Sequence, residues 1–544
     1  MIRTLLTLAL YGLVQDTLAK DVYLDWNITW VTAAPDGYAR PVIGINGQWP
    51  CPQIDVSVGD NLVVDVYNAL GNQSTGIHWH GLHQNYNGYM DGAPGVTQCE
   101  LRPHQRMRYV VPMNQTGTYW YHSHETGQYP DGLRGPIVVH DTVPLPFEYD
   151  EEITLTLTDW YHVQMPQLVS EFEAPSEYAS VGGQEPLPDA VLFNDAFGTK
   201  IKVKPSTTYL IHVVCMGNWA GHALIIDDHD MTIVGADGIG IEPHFLTPQY
   251  IRMTVGQRLD ILLTTKDDTS RNYPIWDGLD IDEMFKQENR SIPDGYNPNG
   301  TAWLTYDDSL PFPPMPDIHI GNASLDFLDD VTLQPRDRLP LIEPVDLQII
   351  LDTDATTLDG KPAYTINNMT YKTPNEPTLY TAIAADPETA MDPSIYGEVN
   401  PFVVNYGDVV EIVLNNHHTN LHPWHLHGHD FQIVQRTYPY GGFFNGYGNV
   451  SSHPMRRDTI MVEPKGHFVI RFRAMNPDNL QRSSTDQYIR IWMLHCHVEW
   501  HVEVRLMAII IEAPDRLQNL TVPTDHQEIC GGAPSHWAPL PPLY

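Results

Sequence analysis

The segment whose residue types and spacing could do the most specialised chemistry lies near the C-terminus. It reads Ile491-Trp-Met-Leu-His495-Cys496-His497-Val-Glu499-Trp500-His501. The Cys496 thiolate and the His501 imidazole suit one soft copper site, and the histidines flanking the cysteine in an extended segment suit a second site close by. Cys496 would then carry electrons between the two sites.

Three other histidine clusters could supply the remaining ligands. They are His78-Trp79-His80, His122-Ser123-His124 and His422-Pro-Trp-His425-Leu-His427-Gly-His429. A single His-x-His pair is weak evidence of metal binding, because loop and surface histidines often have that spacing. Clusters in this order, two near the start of the chain and two near its end, predict a shared set of copper sites.

With these motifs the sequence resembles the blue multicopper oxidases, a family that includes laccases, ascorbate oxidases and fungal iron-transport ferroxidases. The resemblance covers about residues 22–516, and all the copper motifs occur in the family's order. Three further segments resemble the ferroxidase branch and laccases similar to it: Leu325-Asp-Phe-Leu-Asp-Asp, Thr365-Ile-Asn-Asn-Met-Thr-Tyr and Met455-Arg-Arg-Asp-Thr459. The motifs are specific for the family and less specific for the substrate.

The resemblance implies four copper ions per chain, which together store the electrons needed to reduce dioxygen to water. The type 1 copper would be bound by His422, Cys496 and His501, with Leu506 at the axial position. Because leucine cannot coordinate, this site should have a fairly high reduction potential, and the adjacent Met507 is not expected to be a ligand. The type 2 ion would be held by His78 and His425, and the type 3 pair by His80, His122, His124, His427, His495 and His497.

Two carboxylates match family residues that supply and relay protons during dioxygen reduction. They are Asp91, in Tyr89-Met-Asp-Gly, and Glu499, in the C-terminal motif. The alternative for Asp91 is a turn residue before Gly92. Together with Cys496 as the electron carrier, these are the predicted catalytic residues.

The substrate residues match the family less well. Its ferroxidases bind iron(II) beside the blue copper through three carboxylates, of which Glu185 matches one and Asp280 or Asp282 the second. His418 stands where the third is expected, and an imidazole neither adds negative charge nor lowers the iron potential as a carboxylate does. The sequence therefore favours a laccase-type oxidase of phenols or other aromatic reductants, such as pigment precursors.

Two alternatives remain open. One is a ferroxidase that oxidises iron(II) for iron uptake. The other is a copper-binding or electron-carrier protein without oxidase turnover, in which the paired histidines outside the type 1 site would have no purpose.

The elements that must position these residues are strands. Short alternating apolar runs such as Leu62-Val-Val-Asp-Val-Tyr are punctuated by 45 prolines and 39 glycines, which predicts an all-β fold. Segments beginning at Gly59, Pro205 and Gly407 repeat one plan, but the second repeat, with His222, lacks paired histidines. We predict three consecutive cupredoxin-like Greek-key β-barrels, over residues 20–144, 145–335 and 336–544. The first and third would share the copper cluster, and the second would be structural.

Residues 1–19 combine a basic end, a short apolar core and small residues at a plausible cleavage site, which predicts a secretory signal. The apolar run is too short to span a bilayer, and no later stretch is long enough. We therefore expect the protein to be secreted, into the extracellular medium or the cell wall. We also expect it to be a monomer. Glycans are expected at nine sequons: Asn27, Asn72, Asn114, Asn289, Asn299, Asn322, Asn368, Asn449 and Asn519.

The charge balance is strongly acidic, with 67 acidic and 30 basic residues and a net charge of −37. Such a field disfavours nucleic acid and anionic membranes as partners. Solubility in an acidic medium and attraction of a cationic substrate would each explain it.

The chain has five cysteines, and binding of Cys496 to copper leaves an even number, as is usual in secreted chains. The resemblance implies the disulfide Cys99–Cys530, between the first domain and the C-terminal tail, and the disulfide Cys51–Cys215, between the first two domains. Free buried thiols are the alternative.

Two features depart from the family. The segment between Asn476 and Trp492 is about a dozen residues longer than usual, which indicates either a surface loop or an error in the gene model. Arg505 stands where the family commonly has glycine and places a bulky cation near the type 1 site.

Overall fold

The computed structural model describes residues 20–84, 87–174, 185–219, 221–246, 250–281, 293–314, 327–475 and 490–531. The predicted signal segment, Asp282 and most of the long segment before Trp492 lie outside these ranges.

The described residues form strands in three successive groups. The first group is β1 Asp21–Ala33, β2 Arg40–Ile45, β3 Ile54–Ser57, β4 Asn61–Asn68, β5 Ile77–His80, β6 Arg106–Pro112, β7 Gly117–Ser123 and β8 Arg134–His140. The second is β9 Glu151–Trp160, β10 Ala190–Phe193, β11 Lys200–Lys202, β12 Thr208–Cys215, β13 His222–Ile226, β14 Met231–Ala236, β15 Ile239–Leu246, β16 Ile251–Met253, β17 Arg258–Thr264, β18 Tyr273–Leu279 and β19 Asn299–Thr305. The third is β20 Leu347–Leu358, β21 Lys361–Ile366, β22 Pro401–Val404, β23 Val409–Asn416, β24 His422–Leu426, β25 Phe431–Arg436, β26 Arg456–Arg457, β27 Thr459–Val462, β28 His467–Arg473, β29 Ile491–Cys496 and β30 Met507–Glu512.

The helices among the described residues are short. They are α1 Met165–Phe172, α2 Thr378–Ala384, α3 Pro387–Ala390, α4 Glu499–Glu503 and α5 Thr524–Glu528. In the part of the chain that the structure describes, none is long and apolar enough to cross a membrane.

The burial pattern along each strand shows whether one of its faces meets solvent. In β20 the buried Ile349, Leu351 and Thr353 alternate with the exposed Ile350 and Asp352, so one face packs on a core and the other meets water. The strands β24 and β29 are buried on both faces, because they lie between a barrel core and the junction with the first barrel.

The sheets repeat one topology three times. Their strand orders are β2-β1-β4-β6 with β3-β8-β7-β5, then β10-β9-β12-β17-β14-β15 with β11-β19-β18-β13-β16, then β21-β20-β23-β28-β25-β26 with β22-β30-β29-β24-β27. In each group the first strand pairs antiparallel with the second and parallel with a later one. The predicted all-β fold of three cupredoxin-like barrels is confirmed, whereas the exact domain boundaries stay a prediction.

One predicted disulfide is wrong. Cys99 and Cys530 are bonded, which ties the first barrel to the C-terminal segment, but Cys51 and Cys215 are both free and buried. The Cys51 Sγ lies in the core of the first barrel, 3.4 Å from the Gly132 carbonyl oxygen, whereas Cys215 packs in the core of the second. Their side chains belong to different cores, so the alternative of free buried thiols is the correct one.

Candidate copper centres

Strand β29 can serve two sites because its side chains alternate between its faces. It pairs with β24 so that Trp424 lies opposite Cys496 and His425 opposite His495. Cys496 therefore faces the core of the third barrel, and His495 faces the junction with the first barrel.

We call His422, Cys496 and His501 the blue site. The Cys496 Sγ lies 3.3 Å from His501 Nδ1 and 3.6 Å from His422 Nδ1, and the two nitrogens are 3.1 Å apart. All three side chains are buried. A thiolate and two imidazoles with convergent donor atoms fit copper. Burial raises the pKa of the Cys496 thiol and lowers the pKa of His422, so a cation at this point is needed to favour the thiolate.

Two of the predicted substrate residues contact the outer nitrogens of these imidazoles. His501 Nε2 lies 2.6 Å from Glu185 Oε1, and His422 Nε2 lies 3.2 Å from His418 Nδ1. Contacts of this kind orient a ring and leave its other nitrogen for a metal. The blue site is therefore reached from outside through one carboxylate and one imidazole.

Leu506, the residue just before β30, lies opposite Cys496. The Cys496 amide donates to the Leu506 carbonyl oxygen over 3.1 Å, and both side chains lie in one buried cluster. Met507 is opposite His495 and packs in a different cluster. This geometry favours Leu506 over Met507 at the axial position. Arg505 has a φ of 76°, the left-handed region that glycine adopts most easily, and lines a cavity on the Met507 side.

Eight histidines, which we call the histidine cluster, converge between the first and third barrels. They lie on or directly after β5, β7, β24 and β29, and all but the half-buried His124 are buried: His78, His80, His122, His124, His425, His427, His495 and His497. Their ring nitrogens approach closely, with His427 Nε2 3.1 Å from His495 Nε2 and His80 Nδ1 3.2 Å from His497 Nε2. Three-histidine groups within reach of one ion include His78–His80–His122 and His124–His427–His495.

The cluster has the donor chemistry of a metal centre. Burial, and to a lesser extent repulsion from neighbouring imidazoles, lowers the pKa of His122 and His495 well below the usual value. The same causes lower the pKa of His124 to about 3. Several buried ring nitrogens have no hydrogen-bond partner among the described residues: His78 Nε2, His122 Nε2, His124 Nε2, His425 Nε2 and His497 Nδ1. Neutral imidazoles with unpartnered nitrogens fit copper ions, and protonated rings would not pack this way.

Two aspartates orient the cluster from outside. Asp91 accepts hydrogen bonds from His427 Nδ1 through Oδ2 (2.8 Å) and from His78 Nδ1 through its carbonyl oxygen (2.9 Å). The Asp458 carbonyl oxygen accepts a hydrogen bond from His425 Nδ1 (2.9 Å), and Asp458 Oδ1 lies 3.3 Å from His80 Nε2. Asp91, predicted as a proton residue, is fully buried and contacts the cluster directly.

Asp458 is one functional residue that sequence reasoning missed. It lies in the Met455-Arg-Arg-Asp-Thr459 segment, which resembles the ferroxidase branch but has no local pattern that indicates a contact with histidines. Burial alone would raise its pKa, and the Arg258 guanidinium beside it holds the pKa well below its usual range. Arg258 Nε also donates to the Thr118 carbonyl oxygen over 3.0 Å, so one arginine joins all three barrels at the cluster.

Glu499 begins α4 and lies beside a cavity of about 260 Å³ that His124, His495, Glu125 and Glu503 also line. Its Oε1 accepts a hydrogen bond from the Gly127 amide over 2.7 Å. Burial raises the pKa of Glu499 to about 7, which suits proton exchange near neutral pH.

Asp280, the remaining predicted substrate residue, is already paired. Arg252 Nη2 lies 2.6 Å from Asp280 Oδ2, and Arg252 Nη1 lies 2.9 Å from Glu463 Oε1. Sequence reasoning missed Arg252, because nothing local to its strand indicates that it reaches two acidic residues.

Comparison with known proteins agrees with this geometry. Three family models described as multicopper oxidase match residues 27–143, 151–309 and 371–516. The iron transport multicopper oxidase fetC of Epichloe festucae is 41% identical over 538 residues, covering 96% of this chain and 82% of its own. The iron transport multicopper oxidase FET3 of Saccharomyces cerevisiae is 36% identical over 548 residues, covering 97% and 82%.

Solved structures give the same result. The crystal structure of Fet3p, described as a multicopper oxidase that functions in iron import, superposes with a TM-score of 0.86 at 34% identity and covers 94% of each chain. The laccase from Botrytis aclada has a TM-score of 0.78 at 24% identity, covering 96% of this chain and 93% of its own, and shows the fold. The chain therefore belongs to the multicopper oxidase family, copper-dependent oxidoreductases that carry one type 1 ion, one type 2 ion and a type 3 pair and use dioxygen as the acceptor.

Proposed function

We propose that the protein oxidises iron(II) at the blue site and delivers the electrons to dioxygen at the histidine cluster. Copper, when bound by these residues, supplies one-electron redox chemistry at the first site and the four-electron reduction of dioxygen at the second. The observation that carries the choice of iron is the buried Glu185 carboxylate, 2.6 Å from His501 Nε2. The relatives named for iron transport support it and weigh against the laccase-type preference drawn from the sequence.

The chain's own residues would act in three places. Glu185 would hold the cation and, through its contact with His501, connect it to the blue site. Cys496 would carry electrons from the blue site to the histidine cluster. It is bonded through the backbone to both His495 and His497, and its carbonyl oxygen accepts a hydrogen bond from His495 Nδ1 over 2.8 Å. Asp91 and Glu499 would move protons to the cluster, since both carboxyls are buried beside it.

A phenolic or other aromatic reductant is the second candidate, and Arg252 favours it. The guanidinium neutralises Asp280 and Glu463, and His418 adds no negative charge. Of the two carboxylates in this chain that match the iron site of the family's ferroxidases, Asp280 is paired with Arg252, whereas Glu185 contacts the His501 imidazole. A cation would then bind more weakly than in a site with three free carboxylates.

Secretion and glycosylation belong to the same proposal. The Cys99–Cys530 disulfide is typical of an oxidising compartment. The seven sequon asparagines among the described residues are all at least partly exposed: Asn27, Asn72, Asn114, Asn299, Asn368, Asn449 and Asn519.

Steady-state kinetics on the copper-loaded protein test the proposal. We expect kcat/KM for iron(II) to exceed kcat/KM for 2,6-dimethoxyphenol. Glu185→Ala should lower kcat/KM for iron(II) at least about tenfold, because it removes one charge-assisted contact. Glu148→Gln, which removes an exposed carboxylate between the first two barrels, is the matched control and should change neither value. A larger kcat/KM for the phenol, unaffected by Glu185→Ala, would assign the protein to the second candidate.

A further inference from the structure

The second barrel keeps a counterpart of the blue site without its cysteine. Leu224 on β13 lies opposite Asp277 on β18, just as Trp424 lies opposite Cys496 in the third barrel. Asp277 therefore occupies the position of the cysteine, and His222, two residues before Leu224, occupies the position of His422. His222 Nδ1 lies 2.8 Å from Asp277 Oδ2, and both side chains are fully buried.

This pair is packed against a second carboxylate. A Cβ atom on Gly217 would lie 2.6 Å from both Asp159 Oδ1 and His222 Nε2, closer than real Cβ atoms come to neighbouring atoms. Glycine at this position therefore lets Asp159 and His222 approach one another. Burial alone would lower the pKa of His222, but Asp277 and Cys215 raise it well above the usual value. The imidazolium thus balances the buried acids around it.

Asp159 holds the loop that follows β12. The Asn218 amide donates a hydrogen bond to Asp159 Oδ1, which fixes the backbone of Asn218 beside the His222–Asp277 pair. The side chain of Asn218 is buried and contacts residues of both the second and the third barrel.

Asn218 reaches the helix that carries a blue-site ligand. Its Oδ1 accepts a hydrogen bond from the Glu499 amide over 3.0 Å, at the first residue of α4. Val498, the residue before the helix, has no side-chain acceptor, so Asn218 caps α4 from another barrel. Asn218 Nδ2 and Trp500 Nε1 also both contact the Tyr161 hydroxyl, at 3.4 and 3.3 Å.

We propose that Asn218 is a positioning residue that fixes α4, and with it the blue-site imidazole of His501 and the carboxyl of Glu499, in the geometry required for electron and proton transfer. The inference rests on the proposed copper ligands. It gives the second barrel, which contributes none of the predicted copper ligands, an indirect part in the chemistry at the copper sites. The physical reason is that α4 has only five residues and cannot hold its own first turn in place.

The test compares copper-loaded Asn218→Ala with the wild type. We expect a changed electron paramagnetic resonance spectrum and a shifted reduction potential of the type 1 copper. We also expect kcat to fall about tenfold while KM for the reductant changes little, because a small misplacement of reacting groups is costly. The matched control is Asn272→Ala, since the hydrogen bonds of the buried Asn272 within the described ranges go to Tyr306, Asp307 and other residues of the second barrel. It should lower the unfolding temperature without changing the spectrum or the potential.

Tyr161→Phe keeps the test open if Asn218→Ala does not accumulate as a copper-loaded protein. It removes the hydroxyl shared by Asn218 and Trp500 while keeping the ring, and should shift the spectrum and potential in the same direction by less. An unchanged spectrum and potential in the available variants would overturn the inference and leave Asn218 as a stabilising residue only. Wild-type protein that lacks the blue absorption would instead show that the proposed ligands are wrong.

Discussion

Arg258 and Asp458 form a bidentate ion pair beside the histidine cluster, with Nη1–Oδ1 at 2.8 Å and Nη2–Oδ2 at 2.5 Å. Both side chains are fully buried. Arg258 begins β17 of the second barrel and Asp458 precedes β27 of the third, so the pair joins a barrel without predicted copper ligands to the histidine cluster. Its loss should affect both stability and copper binding.

Asp458→Asn should lower the free energy of unfolding by about 3–5 kcal/mol, because it leaves the Arg258 charge buried with a weakened partner. It should also reduce the copper content of the cluster, since Asp458 orients His80 and His425. Denaturant unfolding and metal analysis measure the two effects. The control is Asp65→Asn, which breaks the surface pair with the half-exposed Arg108 and should cost less than about 1 kcal/mol. Equal losses in both variants would contradict the role assigned to Asp458.

Glu499→Gln should slow reoxidation of the reduced protein by dioxygen about 10²-fold to 10⁴-fold, because it removes a proton donor, while the blue absorption stays intact. With a pKa of about 7, the wild-type carboxyl is protonated below that pH, so reoxidation should slow as the pH rises through 7. The variant should lose this pH dependence. Stopped-flow absorbance measures both, with the exposed Glu171→Gln as the control. Unchanged turnover in Glu499→Gln would remove Glu499 from the mechanism, and Asp91→Asn tests Asp91 in the same way.

Arg252→Gln should improve iron(II) oxidation, because it frees the carboxylates of Asp280 and Glu463 to attract a cation. We expect KM for iron(II) to fall about threefold to tenfold, the effect of roughly 1 kcal/mol of extra attraction. KM for a neutral phenol should stay the same. Arg271→Gln, which removes an exposed arginine paired with Asp227, is the control. A fall in both KM values, or in neither, would show that Arg252 does not set the preference between the two reductants.

Leu506→Met should lower the reduction potential of the type 1 copper, because a thioether sulfur opposite Cys496 stabilises the oxidised ion. Met507→Leu changes the neighbouring residue, whose side chain lies on the His495 side of the strand, and should leave the potential unchanged. Redox titration of the blue absorption compares the two variants. The reverse pattern would mean that Met507 is the axial residue.

His212 should make the protein less stable as the pH becomes alkaline. It lies 2.8 Å from Asp260 and close to Glu152 near the junction of the first two barrels. Burial alone would lower its pKa, but these carboxylates raise it to about 9. A raised pKa stabilises the fold fully below the unfolded value of about 6.5, and that stabilisation is lost as the pH rises through 9. It amounts to about 3 kcal/mol at most. Denaturant unfolding of the wild type and His212→Gln should therefore differ at pH 6 and converge towards pH 10. A difference that does not change with pH would contradict the assignment.

The sequence by itself identified the residues that the structure brings together at the two sites. The reason is local: a His-x-His pair on a strand places both rings on one face, and a cysteine between two histidines faces the other way. Short alternating runs between prolines and glycines were likewise sufficient to predict three β-barrels, because alternation is a property of neighbouring residues.

Only the tertiary structure decided how these residues are held and what surrounds them. Asp91 orients His427 from 336 positions away, Arg258 reaches Asp458 across 200 positions, and Asn218 caps α4 from 281 positions away. Cys51 and Cys215 remained unbonded for the same reason, since the packing of two separate cores set their positions. Contacts between distant segments leave no local pattern in the chain, because they depend on how whole barrels meet.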